Sequence, residues 1–180
     1  EFRRVLFRSI GHSLALQVAE SPHEYYVIEL SSFQLDNMYQ FKADVAILLN
    51  ITPDHLDRYD NCFENYAEAK LRILQNQTQA DSFIYWKDDP VIAKELQKHA
   101  VHAQTYPFAA HKENGVVGYI EQEQYTLAYP STFQMPQSEL SLTGKHNLYN
   151  SLAAGLAANI VGIPHDIIRQ SLSDFPGVEH

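Results

Sequence analysis

The stretch that decides the fold is Asp44-Val-Ala-Ile-Leu-Leu-Asn-Ile-Thr-Pro-Asp-His-Leu-Asp-Arg-Tyr59. Residues 45–49 are apolar without interruption. A run that short, closed by polar residues, reads as a strand buried on both faces, as parallel strands are. The ten residues from Asn50 to Tyr59 then carry a threonine, two aspartates, a histidine and an arginine. In open α/β sheets, ligands gather at the carboxyl ends of the strands. A buried strand ending in so much polar chemistry therefore points to a site.

The flanking sequence fits such a sheet. Residues 24–30 and 82–86 read as strands, and so does 101–106. Helices are expected at 11–20, 63–77 and 90–99, with a turn or short helix at 31–41. Strands alternating with helices imply parallel pairing through crossovers. After Pro107 the pattern changes to short β segments at 115–120, 124–129 and 132–135, which predict an antiparallel meander. Two helices follow, at 146–160 and 164–172, the second opened by a proline. The fold class is α/β: a mostly parallel sheet with flanking helices and a small antiparallel meander.

Composition narrows the function. The chain has 180 residues, 45% hydrophobic and 19% charged, with 22 acids against 13 bases. That balance argues against a broad nucleic-acid or anionic-membrane surface. No apolar run approaches a membrane span. The single cysteine, Cys62, excludes an intrachain disulfide and fits a reducing compartment, so the cytoplasm is expected. Residues 1–9 carry three of the 13 basic residues. They read as a non-native scar, the alternative being a basic N-terminal strand.

Four places carry candidate chemistry. Glu29 ends one strand and His55 follows another. If those strands are neighbours, carboxylate and imidazole share a sheet edge and suit Mg²⁺ or Mn²⁺. Otherwise Glu29 serves a helix cap and His55 is a solvated loop residue. Lys70 lies on the apolar face of its helix with Phe63, Tyr66, Ala67, Ile73 and Leu74. An ammonium there snorkels to water, pairs with an acid, or is neutralised and carbamylated by CO₂. Asn147 and Asn150, one turn apart, either read an adenine edge or cap the helix. Gly144-Lys145 is not the end of a phosphate-binding P-loop, because Glu139 and His146 stand where that loop needs glycine and Ser/Thr.

Taken together, Glu29-Leu-Ser-Ser-Phe-Gln-Leu35, the stretch from Asp44 to Tyr59, Tyr66-Ala-Glu-Ala-Lys70 and Gly144-Lys-His-Asn-Leu-Tyr-Asn150 closely resemble the Mur ligases of peptidoglycan synthesis. Ser-Ser-Phe-Gln-Leu resembles the branch that adds D-glutamate. The resemblance covers residues 10–180 and implies most of a central ATP-binding domain. That domain is like a P-loop NTPase but here lacks the P-loop strand, which the family places before Ile10.

The resemblance also implies a reaction: an ATP-dependent acid–amino-acid ligase joining D-glutamate to UDP-N-acetylmuramoyl-L-alanine through an acyl phosphate. It implies two Mg²⁺ ions, with Mn²⁺ as a substitute. Glu29 would hold one ion, while His55 and Lys70, as its carbamate, would hold the other. Ser31 and Gln34 would face the muramoyl-alanine substrate, and Asn147 and Asn150 the adenine. Asp54 or Asp57 would orient His55 or cap its turn. The parent is expected to be a monomer, and the 180-residue piece alone inactive. Two alternatives stand beside this reading: another Mur or folylpolyglutamate-type ligase, and a non-catalytic nucleotide-binding module.

Overall fold

A computed structural model describes residues 6–7 and 14–177. The chain divides into two compact units, Glu1–Phe41 with His55–Arg72, and Lys42–Asp54 with Ile73–His180. The expectation of a scar at 1–9 falls outside the described residues, except for Leu6–Phe7.

In the first unit, β1 (Leu6–Phe7) pairs in parallel with β2 (Val27–Ile28). Helix α1 (Leu14–Glu20) lies between them in sequence, and α2 (Ser32–Leu35) follows β2. A 3-10 turn, Leu56–Tyr59, leads into α3 (Phe63–Leu71). β2 is much shorter than the strand expected at 24–30.

The second unit is built on one six-stranded sheet, in spatial order β3 (Val45–Leu48), β4 (Ser82–Trp86), β5 (Gln104–His111), β6 (Gly118–Glu121), β7 (Gln124–Leu127) and β8 (Phe133–Pro136). β3 to β6 run parallel, and β6 to β8 antiparallel. The meander is therefore continuous with the parallel sheet, and β6 is the strand where the pairing changes. The strand expected at 101–106 runs on to His111. Pro107 does not stop it: a proline lacks the N–H but keeps its carbonyl, which accepts the Val117 N–H at 2.9 Å.

β2 and β3 belong to different sheets. Among the described residues, the two strands considered for Glu29 and His55 are therefore not hydrogen-bonded neighbours in one sheet. The helix expected at 63–77 is also corrected. It ends at Leu71 and passes into a 3-10 turn, Arg72–Leu74. Further on, the buried Gln77 side chain spends its amide on the carbonyls of Ala43 and Ser82, at 2.9 and 3.0 Å.

Helix α4 (Pro90–Leu96) is capped by Asp89, whose carboxylate accepts the N–H groups of Val91 and Ile92 at 3.0 and 2.8 Å. Helix α5 (Lys145–Ile160) lies over β4 to β7 and precedes α6 (His165–Asp174). Leu152 and Leu156 of α5 are fully buried, as are Phe108, Tyr125 and Leu127 of the sheet, and together they form the core. The helix comes close because glycines allow it: a Cβ on Gly118 would lie 2.8 Å from Leu156 Cδ1. Among the described residues no helix is long and apolar enough to cross a membrane.

One buried carboxylate makes the second unit sensitive to acid. Asp81 accepts the Thr78 N–H at 2.7 Å and the Thr78 hydroxyl at 2.9 Å, and pairs with the Lys42 ammonium. Lys42 holds the Asp81 carboxyl below its ordinary 3.8, against burial that pulls it up. Stability from such a group is complete above that ordinary value and is lost as pH falls through the lowered one. Asp81→Asn is expected to cost about 1–2 kcal/mol at neutral pH, the worth of charge-assisted bonds to Thr78. It is also expected to flatten the acid limb below about pH 4. Urea unfolding measured against pH checks both.

Candidate active site

The first unit holds Glu29, Ser31, Gln34, His55 and Lys70. Glu29 follows β2 directly and is exposed. Ser31 is the N-cap of α2, in extended conformation. Its N–H and hydroxyl both donate to Gln34 Oε1, at 2.9 and 2.7 Å. Two donors facing one atom fix the amide orientation, so Nε2 is the end of Gln34 turned away from Ser31. The pair sits in a capping-box arrangement at the start of α2.

His55 is exposed and left-handed, with φ 47° and ψ 37°, and its carbonyl accepts the Arg58 N–H at 3.2 Å. A left-handed side chain other than glycine costs roughly 1–2 kcal/mol. Such local strain gathers at functional positions. Lys70 sits in the last turn of α3, half-buried, with Nζ 5.5 Å from the Tyr66 ring centroid. The apolar face expected around it is present in part: Tyr66 and Ala67 are buried, while Ile73 and Leu74 fall in the 3-10 turn beyond α3.

Several further residues bind these elements together, and the sequence reading did not single them out for it. The Tyr59 hydroxyl donates to Asp36 Oδ2 at 2.8 Å. Burial, reinforced by Asp36, pushes the Tyr59 phenol up and keeps it a donor. The Arg58 guanidinium lies 4.5 Å over the Phe33 ring, and Arg72 Nε donates to the Leu35 carbonyl at 3.0 Å. Arg58 and Tyr59 stand in the opening stretch, but their partners lie more than twenty residues away, so spacing did not signal them. Asp57 is exposed in the 3-10 turn.

Carboxylate and carbamate oxygens are hard donors that fit Mg²⁺ or Mn²⁺, and an imidazole nitrogen, a borderline donor, can complete such a set. An unmodified ammonium does not, so Lys70 fits only as its carbamate. Among the described residues no three His, Cys, Asp or Glu side chains gather closely enough to hold a metal by themselves.

In the second unit, the Asn147 amide donates to the Thr143 carbonyl at 2.8 Å, and Asn150 is exposed one turn on. A cavity of about 680 Å³ opens beside the start of α5, lined in part by Trp86, Leu140, Thr143, Lys145 and Tyr149. Trp86 and Tyr149 pack with centroids 4.7 Å apart, and Lys145 Nζ lies within 6 Å of both rings, at 5.9 and 5.7 Å. Asn147 and Asn150 do not line this cavity.

The profile of the Mur ligase middle domain matches residues 6–158, and the chain belongs to that family. More particularly, it is 62% identical over 172 residues to the UDP-N-acetylmuramoylalanine–D-glutamate ligase of Bacteroides fragilis, covering 96% of this chain and 39% of that protein. The chain thus spans about two fifths of the length of that relative. The fold is also that of solved Mur ligases. MurF from Acinetobacter baumannii superposes with a TM-score of 0.65 at 21% identity, over 89% of this chain and 36% of that one. MurF from Thermotoga maritima in complex with ADP gives 0.60 at 18% identity, over 97% and 42%.

Proposed function

We propose that the full-length protein carrying this chain is the ATP-dependent ligase that joins D-glutamate to UDP-N-acetylmuramoyl-L-alanine. The observation that carries this reading is the 62% identity to a ligase of that name across nearly the whole chain. The collection of Glu29, Ser31, Gln34, His55 and Lys70 in one unit is consistent with it.

The reaction phosphorylates the substrate carboxylate, and the amine of D-glutamate then displaces phosphate. Every stage brings negative oxygens together, so catalysis is positioning plus electrostatic stabilisation. Mg²⁺, when bound, neutralises and orients those oxygens. Glu29 supplies a carboxylate for one ion. His55 and carbamylated Lys70 supply an imidazole and an anionic oxygen pair for the other. Gln34, with Oε1 held by Ser31, offers its Nε2 hydrogens to an acceptor oxygen of the muramoyl-alanine substrate. The Ser31 hydroxyl, its proton directed at Gln34, offers a lone pair. Asn147 and Asn150 lie toward the adenine, with the Asn147 oxygen left for base recognition because its Nδ2 already serves Thr143.

The test is a substrate panel on the full-length protein. D-glutamate, L-glutamate, L-lysine and meso-diaminopimelate are offered with ATP and the alanyl nucleotide, and the ligated product is identified by mass. Ligation of D-glutamate is expected. Preference for another amino acid assigns the chain to a different branch and overturns the proposal.

A further inference from the structure

The proposed ligation needs Lys70, at the end of α3, and the Ser31–Gln34 pair, around the start of α2, held at fixed spacing. α2 is a four-residue helix. A single turn has little stability of its own, so its orientation comes from its contacts. Within the first unit α2 packs directly against α3, and these side-chain ties add to that packing: Tyr59 to Asp36, Arg58 over Phe33, and Arg72 to the Leu35 carbonyl. The first two reach α2 from the 3-10 turn after His55. The third comes from the chain just beyond Lys70.

Arg72 is the C-cap of α3, two residues beyond Lys70, where α geometry gives way to 3-10. Its Nε–H meets a carbonyl that already accepts the Met38 N–H at 3.1 Å, and so fills the remaining lone pair. Its guanidinium also lies 5.6 Å over the Tyr39 ring. A charged donor on a backbone carbonyl, with its plane set by an aromatic face, is a strong and directional tie.

We propose that Arg72 is a positioning residue for the ligation: by clamping the last carbonyl of α2 to the end of α3, it sets the spacing between the Ser31–Gln34 pair and Lys70. This rests on the function proposed above. Arg72 acts through α2. Its loss lets α2 tilt, and a misplacement of about 1 Å costs on the order of a hundredfold in rate. The loss falls on the UDP-linked substrate, because Ser31 and Gln34 face that substrate and not D-glutamate.

The experiment uses the full-length ligase with Arg72→Met, which keeps the aliphatic stem, and Arg72→Lys, which keeps the charge. In Arg72→Met, kcat/KM for the UDP-linked substrate is expected to fall about tenfold to a hundredfold. KM for that substrate rises and KM for D-glutamate stays unchanged, while the protein remains fully folded under assay conditions even though the urea midpoint falls. Arg72→Lys recovers part of the loss. Wild-type kinetics in Arg72→Met overturns the proposal. So does a loss that merely tracks the folded fraction with every KM unchanged, which is the mark of a structural role. If the wild-type enzyme does not ligate D-glutamate, the functional reading fails instead. Hydrogen exchange in Arg72→Met then decides the tie separately: faster exchange across α2 and the Met38 amide supports the clamp, and unchanged exchange removes it.

Discussion

If the proposed function holds, Lys70→Ala in the full-length protein is expected to lower kcat by about a hundredfold to a thousandfold, the usual consequence of removing one preorganised electrostatic group, and added formate or acetate to restore part of it. The setting of Lys70 carries the expectation. Its side chain is half-buried on α3, over the Tyr66 ring, beside buried Ala67, Ala69 and Leu71. The neutral amine is the form that adds CO₂. The carbamate then presents two oxygens where an ammonium would present a positive charge. Truncation to alanine empties that place, and a short carboxylate is small enough to enter it. Lys70→Arg is expected to be as damaging and not to be rescued, since its guanidinium stays charged and still fills the space. Steady-state kinetics with and without added carboxylate reads all three variants. Wild-type turnover in Lys70→Ala would sink the role. So would a loss without rescue, combined with an unmodified amine at Lys70 in a high-resolution map of the wild-type enzyme.

How much of this was legible in the chain follows from which interactions are local. β3 was legible because residues 45–49 are an unbroken apolar run closed by polar residues, but the expected burial on both faces is not met: Ala46 and Leu48 are buried, while Val45 and Ile47 are half-buried on a strand at the end of the described sheet. The Ser31–Gln34 cap, whose partners are only three residues apart, went unread because the family resemblance turns both residues toward the substrate. The end of α3 was not legible: apolar periodicity continues through Ile73 and Leu74, yet the helix tightens to 3-10 after Leu71. β2 was overextended because Glu24-Tyr-Tyr-Val-Ile-Glu-Leu30 has strand propensity, while only Val27 and Ile28 find a pairing partner among the described residues. Tertiary pairing overrode propensity there. Tyr59 and Arg72 went unread for the same reason. A hydroxyl and a guanidinium reaching 23 and 37 residues back leave no period in the sequence. The polar stretch after β3 is legible as a candidate site, and the side chains that hold the elements around it do so through long-range bonds.

Gly155→Ala is expected to destabilise the second unit by about 2–4 kcal/mol, although the same change in an ordinary helix interior stabilises by about 1 kcal/mol. Gly155 lies in the middle of α5, facing the sheet. A methyl group there would overlap the Tyr125 hydroxyl and come within 3.1 Å of Leu127 Cδ1. Tyr125 is fully buried, its hydroxyl donates to the Ser151 carbonyl at 2.7 Å, and burial pushes its phenol up so that it remains a donor. The ring has little room to retreat, because Phe133 packs edge-on against it at 6.2 Å. Accommodating the methyl therefore forces either overpacking, at about 1–3 kcal/mol, or loss of the buried hydrogen bond, at a similar cost. Tyr125→Phe alone should cost about 1 kcal/mol. Because it removes the colliding oxygen, the double variant should be more stable than Gly155→Ala alone, giving a coupling of at least about 1 kcal/mol. Urea midpoints and hydrogen exchange across α5 in the full-length protein measure the cycle. Additive single effects, or a Gly155→Ala variant as stable as wild type, would mean that α5 does not approach β7 as closely as Gly155 allows.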